Sequence, residues 1–391
     1  VNATHAAPVL SAANGFLPDQ DPILRLPSAF DAWEDFAHQL PKFLCSDRFR
    51  DLVKELSTFP IHELETEREW ERAMVLLSYI GHAYVWTGQH PAHKLPAILA
   101  VPWAIVAKRL GRPPVLSYSS YCLQNYRRLE PGRAREVGNI ALNQTFYAGI
   151  DEEWFVLIHV DIEQRAAPAL AALSEAQYAK GKRDGDKLLS ELGVIGKALG
   201  EVNATMNRMP EFCDPYIYYH RVRPYIHGWR NHPAIPEGVL YEGVEEFGGK
   251  PQTFRGETGA QSSIVPALDA VLGVGHAQDV LRDYLMEMRT YMPPAHRAFI
   301  EAREAEGSVR DFAIECGGQV VQAYDHAVSE LERFRSKHLE YAATYIFKQG
   351  QTDGKNPHAV GTGGTPFMPY LKKHRDETTT TLVCPASGRA A

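Results

Sequence analysis

The side chains that could do chemistry begin with His338. It lies in DHAVSELERFRSKHLEYAATYIF (residues 325–347), where Val328, Leu331, Arg335, His338, Ala342 and Tyr345 recur at three- and four-residue spacing. That spacing places all six on one face of a single helix, so the histidine faces inward. A buried imidazole can hold a metal through its lone pair or close a hydrogen bond in the core, and one inward histidine does not separate the two. His82, His90 and His93 invite a metal reading too, but two of them flank a proline turn and no i, i+4 pair forms, which favours ordinary histidines. His159, in WFVLIHVDIE, stands one helical turn before Glu163 and could pair with it. RVRPYIHGW offers Arg221 and Arg223, whose planar forks suit carboxylates, although a surface position is the default. Gly361-Thr-Gly-Gly-Thr reads as a flexible loop.

The elements that must position these groups are helices. Trp70, Met74, Leu77 and Tyr84 mark a helix within 65–87, and LPAILAVPWAIVAKRLG closes a first unit at Gly111. Asp151-Glu-Glu supplies acidic residues where a helix N-terminus favours them. Leu188, Leu192, Ile195, Leu199, Val202 and Met206 share one face of the next helix, and 238–249 looks like a loop. No stretch alternates with period two for long enough to build a sheet, and no repeat is visible. The expected fold is all-α: an N-terminal arm (1–28), a small helical domain (29–114), a larger helical domain (115–375) and a flexible tail (376–391), with 348–355 also mobile.

Composition narrows the function classes. The chain has 391 residues, 45% hydrophobic and 23% charged, an ordinary globular balance with length for a sizeable core. A net charge of -7 without a basic block argues against nucleic acid or an anionic membrane as partner. No run approaches the roughly 20 apolar residues of a transmembrane helix. Five scattered cysteines without a C-x-x-C pair suit a reducing compartment, and the start lacks a secretory pattern, so a cytoplasmic location is expected. Phosphate-binding glycine loops are missing, which leaves nucleotide cofactors without support.

Four segments carry a resemblance: GETGAQSSIVPALDAVL (256–272), YLMEMRTYMPPAHRAFI (284–300), FRSKHLEYAATYI around His338, and GTGGTPFM (361–368). In the same order they resemble the diagnostic segments of the indoleamine 2,3-dioxygenase family, from about Asp31 to Lys373, and MRTYMPPAHRAF is highly specific. The resemblance implies a helical fold whose larger domain encloses a b-type haem, with His338 as the iron's only protein ligand and the opposite face open for oxygen. It also implies an indole substrate, O2, and an electron donor that keeps the iron ferrous. Arg223 matches the arginine that pairs with the substrate carboxylate, Ile226 falls against the indole ring, and Tyr118 and Phe155 match pocket walls. Thr362 comes near the substrate ammonium on a lid whose glycines let it close over the site. Asp269 and Arg335 match an acid and a base that steady the His338 helix.

Departures from the family pattern matter as much. His159 falls where animal members have a small serine over the haem, whereas the sister tryptophan 2,3-dioxygenases place a histidine there. It could accept the indole N–H or donate to oxygen. Tyr121 and Cys122 replace smaller and aliphatic residues nearby. Beside Thr258, Glu257 replaces a glycine of the substrate loop, where a carboxylate could repel a substrate carboxylate, pair with its ammonium, or point to solvent. The implied reaction is insertion of both oxygen atoms across the indole C2–C3 bond of tryptophan or a relative, giving an N-formylkynurenine-type product. Monooxygenation of an aromatic ring, or a closed sensor haem held by both His159 and His338, are the alternatives.

Overall fold

The structure, a computed structural model, describes Leu10 and residues 13–351 and 361–384. Its principal helices are α1 (Glu67–Trp86), α2 (Ala97–Arg109), α3 (Ile150–Lys182), α4 (Gly185–Met206), α5 (Ile264–Leu272), α6 (Val280–Arg289), α7 (Pro294–Glu306), α8 (Gly318–Ala342) and α9 (Phe367–Thr379). Among the described residues, strands are confined to two short pairs. β1 (Lys94–Leu95) runs parallel to β4 (Leu240–Tyr241), and β2 (Tyr126–Arg128) antiparallel to β3 (Ile140–Leu142). The fold is helical, as its periodicities predict, and the expected 238–249 loop contributes β4.

Local signals set the helix ends. Thr66 and Glu69 form a reciprocal capping box at the start of α1, each side chain taking the other's backbone N–H. Asp184 caps α4 by accepting from the Lys187 N–H at 2.9 Å. α3 stops where Arg183 turns left-handed at φ +56°. The helix carrying His338 begins seven residues earlier than its apolar face suggests, because Gly317 opens it.

Two apolar cores form. The first gathers Trp33, Tyr79, Trp103 and Tyr121 with Trp229 and Tyr241 from much later in the chain. The second is built by α3, α4 and α8, joined by Leu272 and Phe299. Of the expected arm, Leu17 and Leu26 enter the first core and Phe16 enters the second, where its ring meets Phe299 edge-on. Residues 1–9, 11 and 12 lie outside the described residues, as do 352–360 and 385–391.

The expectation of a flexible tail from 376 is corrected for the part described. Residues 376–379 finish α9, Thr378 is fully buried and accepts a hydrogen bond from Arg335, and the Val383 and Cys384 N–H groups donate to Asp325 at 2.8 and 2.9 Å. Threonine's hydroxyl satisfies a buried guanidinium here, a use that polarity in the sequence does not reveal.

In the N-terminal unit, Glu34 and Arg72 form an ion pair at 2.6 Å with both side chains buried, and Glu34 also accepts from the Leu26 N–H at 2.8 Å. Replacing Glu34 with alanine leaves a guanidinium and an amide stranded, so urea titration should show about 3–5 kcal/mol lost. Asp31→Ala removes a half-exposed partner of Arg25 and should cost under about 1 kcal/mol.

Candidate active site

A cavity of about 450 Å³ opens between α3, α5, α8 and the loops that precede α5 and α9. That volume is in the range of small-molecule and cofactor pockets. Three π-helical turns, at Ser119–Leu123, Tyr218–Val222 and Ala343–Phe347, sit around it. The wider turns re-aim neighbouring side chains, and Tyr118, Tyr218 and Tyr345 all reach the cavity wall.

His338 faces this cavity from α8 and makes no hydrogen bond to a described residue. Burial, with smaller effects from His159 and Arg335, pushes its pKa down to about 4, so at neutral pH the ring is uncharged and its lone pair is available. Gly259 packs closely enough that a Cβ there would lie 4.0 Å from His338 Cε1. Phe155, Ile162, Phe334, Ile346 and Leu371 give the cavity apolar wall, with the Phe334 ring 6.5 Å from the imidazole.

His159 faces the same cavity from α3. Its Nδ1 lies 2.7 Å from the Phe155 carbonyl oxygen, which can only accept, so Nδ1 carries the proton and Nε2 keeps its lone pair. Burial lowers its pKa from the ordinary value despite that carbonyl. The pairing with Glu163 that their spacing allows does not form. Glu163 Oε1 instead accepts from the Tyr118 hydroxyl at 2.9 Å and the Ser262 hydroxyl at 3.0 Å. With its other oxygen buried without a partner, burial pushes Glu163 up to about 7. Both donors come from distant segments, which is why the sequence spacing misleads.

Glu257 also lines the cavity, and it is only 4% exposed, which removes the solvent-pointing alternative. No described side chain pairs with its carboxyl, and burial pushes it up to about 8. Its position is set by a crossing of two backbones. A Cβ on Gly228 would meet the Gly256 nitrogen at 2.0 Å, and one on Gly256 would meet the Ile226 oxygen at 2.3 Å, so only glycine fits at either place. The Glu257 N–H donates to the Ile226 carbonyl at 3.1 Å.

The 361–365 loop covers this crossing. Thr362 donates through its hydroxyl to the Glu257 carbonyl, and its own carbonyl accepts from the Gly228 N–H. Arg255, stacked 4.9 Å from the Tyr284 ring, donates to the Gly363 carbonyl at 2.6 Å, and Asn231 donates to the Gly364 carbonyl at 3.0 Å. The Tyr284 hydroxyl lies against the same loop, where a Cβ on Gly363 would meet it at 3.0 Å. Sequence reasoning misses Arg255, Asn231 and Tyr284; only YLMEM marks the segment of Tyr284, and not its partners.

Behind His338, Asp269 and Arg335 pair at 2.6 Å, and both line the cavity. Arg223 and Ile226 are fully buried but do not form the cavity wall; the Arg223 guanidinium lies 5.3 Å from the Tyr219 ring. Tyr121 and Cys122 are buried in the first core. His82 is a core residue: its Nδ1 sits 2.7 Å from the Tyr225 carbonyl and its Nε2 accepts from the Leu116 N–H, with burial pushing its pKa down to about 3.

An uncharged, unpartnered imidazole facing a cavity with much apolar wall fits a haem: His338 would hold the iron and the apolar side chains would keep the macrocycle dry. A family model described as Indoleamine 2,3-dioxygenase matches residues 6–381. The chain belongs to the indoleamine 2,3-dioxygenase family. It is 32% identical to Indoleamine 2,3-dioxygenase 2 of Homo sapiens, across 96% of this chain and 95% of that protein. Against Indoleamine 2,3-dioxygenase 1 of Rattus norvegicus it is 34% identical, across 93% and 92%. Against Indoleamine 2,3-dioxygenase acdA of Aspergillus candidus the figure is 33%, across 95% of each. As a member of this family it is a haem-iron-dependent dioxygenase. No described helix is long and apolar enough to cross a membrane.

Proposed function

We propose that this indoleamine 2,3-dioxygenase family member opens the indole C2–C3 bond of tryptophan or a close relative, adding both atoms of O2 to give an N-formylkynurenine-type product. The observation that carries this reading is the pair of imidazoles facing one cavity, His338 without a partner and His159 with its Nε2 lone pair left free. Haem, when bound, supplies iron that engages O2 and carries the oxygen chemistry. His338 would hold the iron. His159 Nε2 accepts the indole N–H and so fixes the ring's orientation, with Phe155 and Tyr118 as walls. The Thr362 loop keeps bulk water out.

Glu257 and Thr258 receive the substrate ammonium, with the Thr362 hydroxyl oxygen as a further acceptor. Arg223 takes the carboxylate by swinging from the Tyr219 face into the cavity, and Ile226, at the end of the same short helix, moves with it towards the indole. Turnover under labelled oxygen gas tests the reaction, with product mass as readout. Two labelled atoms per product are expected; one labelled atom, or none, defeats the reading.

Two predictions concern recognition. Arg223→Lys keeps the charge but loses the fork, so KM for tryptophan should rise about tenfold while that for indole, which lacks a carboxylate, stays within about twofold. Because Glu257 is pushed up to about 8, it is mostly protonated at pH 7 in the empty site and attracts an ammonium only as it ionises. The wild-type kcat/KM for tryptophan should therefore climb from pH 7 towards pH 8.5, and Glu257→Gln should flatten that climb. A climb of equal size in both proteins would remove Glu257 from ammonium binding.

A further inference from the structure

At the edge of the same cavity, below Asp269, three side chains from two segments converge. His276 comes from the loop after α5, while His374 and Glu377 stand three apart on α9 and so share a face. One potential ligand atom from each lies within 4.8 Å of the others. His276 Nδ1 is 2.6 Å from Glu377 Oε2, and its Nε2 is 3.1 Å from Asp269 Oδ2. The His374 ring lies 4.8 Å from the His276 ring, and its Nε2 is buried with no hydrogen-bond partner.

The geometry points to a divalent transition-metal site, of the Zn²⁺ class, formed by His276, His374 and Glu377. Two imidazoles and one carboxylate are a tetrahedral zinc ligand set with one position left for water. The carboxylate–histidine–metal relay that usually orients such a ligand is already built, since Asp269 holds the far nitrogen of His276. A proton now bridges His276 Nδ1 and Glu377; the metal displaces it, and the proton leaves to solvent. Lys373, 3.4 Å from Glu377, has Asp279 as a second partner and can withdraw. Ligand atoms must draw together slightly, which two residues on one helix turn and one on a loop can do. Asp269 also grips Arg335, three residues before His338, so occupancy bears on the haem-side helix.

Haem-loaded protein dialysed against Zn²⁺ and analysed for metal should hold one zinc per chain beside its iron. X-ray absorption at the zinc edge should show imidazole scattering. His374→Ala and Glu377→Gln should each weaken zinc binding by at least about 100-fold, since even loss of a supporting partner costs 10–100-fold. Glu377 does not line the cavity, so its variant should keep full haem content. Exposed His62 replaced by alanine should change nothing. No zinc on the haem-loaded chain, zinc only on the haem-free chain, or equal binding by Glu377→Gln overturns the site.

Discussion

His338→Ala should yield a folded protein that purifies without haem and shows no detectable turnover. The imidazole makes no hydrogen bond to a described residue and faces a cavity, so truncating it strands no buried partner. Circular dichroism and the urea midpoint of the haem-free protein should therefore stay close to wild type. Haem affinity is another matter, because the iron loses the nitrogen that binds it, a larger change than the 10–100-fold cost of losing a group behind a ligand. Added imidazole should restore part of the haem spectrum by filling the space left. Retained haem with an unchanged axial-ligand signature would mean that another residue holds the iron.

His159→Leu should keep haem content and the urea midpoint but lower kcat by about 10²-fold, the lower end of what a positioned proton acceptor contributes. Leucine preserves bulk against Phe155, whose ring lies 4.6 Å from the imidazole, while removing the Nε2 acceptor. The pH dependence has a definite sign. Burial lowers the His159 pKa, so the ring is neutral through the physiological range and gains a proton only on the acid side. Protonation turns the Nε2 acceptor into a donor, so wild-type kcat should fall as pH drops and hold level from pH 7 to 8. In His159→Leu that acid limb should disappear. A substrate methylated on the indole nitrogen should react equally slowly with both proteins. A leucine variant with wild-type kcat and the same acid limb would show that His159 only fills space.

Much of this arrangement was legible in the sequence, and the misses have a common cause. The face of α8 that carries Arg335 and His338 follows from helical periodicity, because burial on a helix repeats with the backbone turn. The ion pair of Asp269 with Arg335, 66 residues apart, came through the family resemblance and is present at 2.6 Å. Pairings across long separations without such a guide stayed hidden. Glu163 was free to pair with His159 one turn away, yet Tyr118 and Ser262 claim it, from 45 and 99 residues distant. Glu257 had three open readings, and the one that pointed it to solvent falls to its burial beside a backbone crossing at Gly228 and Gly256 that no local pattern encodes. Periodicity also says nothing of the three π-helical turns, each of which carries or adjoins a tyrosine of the cavity wall, or of Thr378, whose hydroxyl anchors a segment that composition alone marks as loose.

The placement of Arg223 shows where a resemblance outruns the geometry. The guanidinium sits against Tyr219 rather than at the cavity wall, whereas the carboxyl of Glu257, absent from the family pattern, does reach it. On the proposed function, substrate selection falls first to a buried acid and only after a side-chain movement to a cation. The ratio of the Glu257→Gln effect to the Arg223→Lys effect on KM measures that ordering.

One imidazole on the iron and the other kept for the substrate is the division of labour on which the mechanism stands. Resonance Raman and absorption spectra of the ferrous, substrate-free, haem-loaded protein test it most directly. A five-coordinate, high-spin iron with a single iron–imidazole stretch, lost in His338→Ala and kept in His159→Leu, is the expected result. A six-coordinate, low-spin iron that becomes five-coordinate on replacing His159 would contradict it, because both imidazoles would then be bound and no position would be left for oxygen.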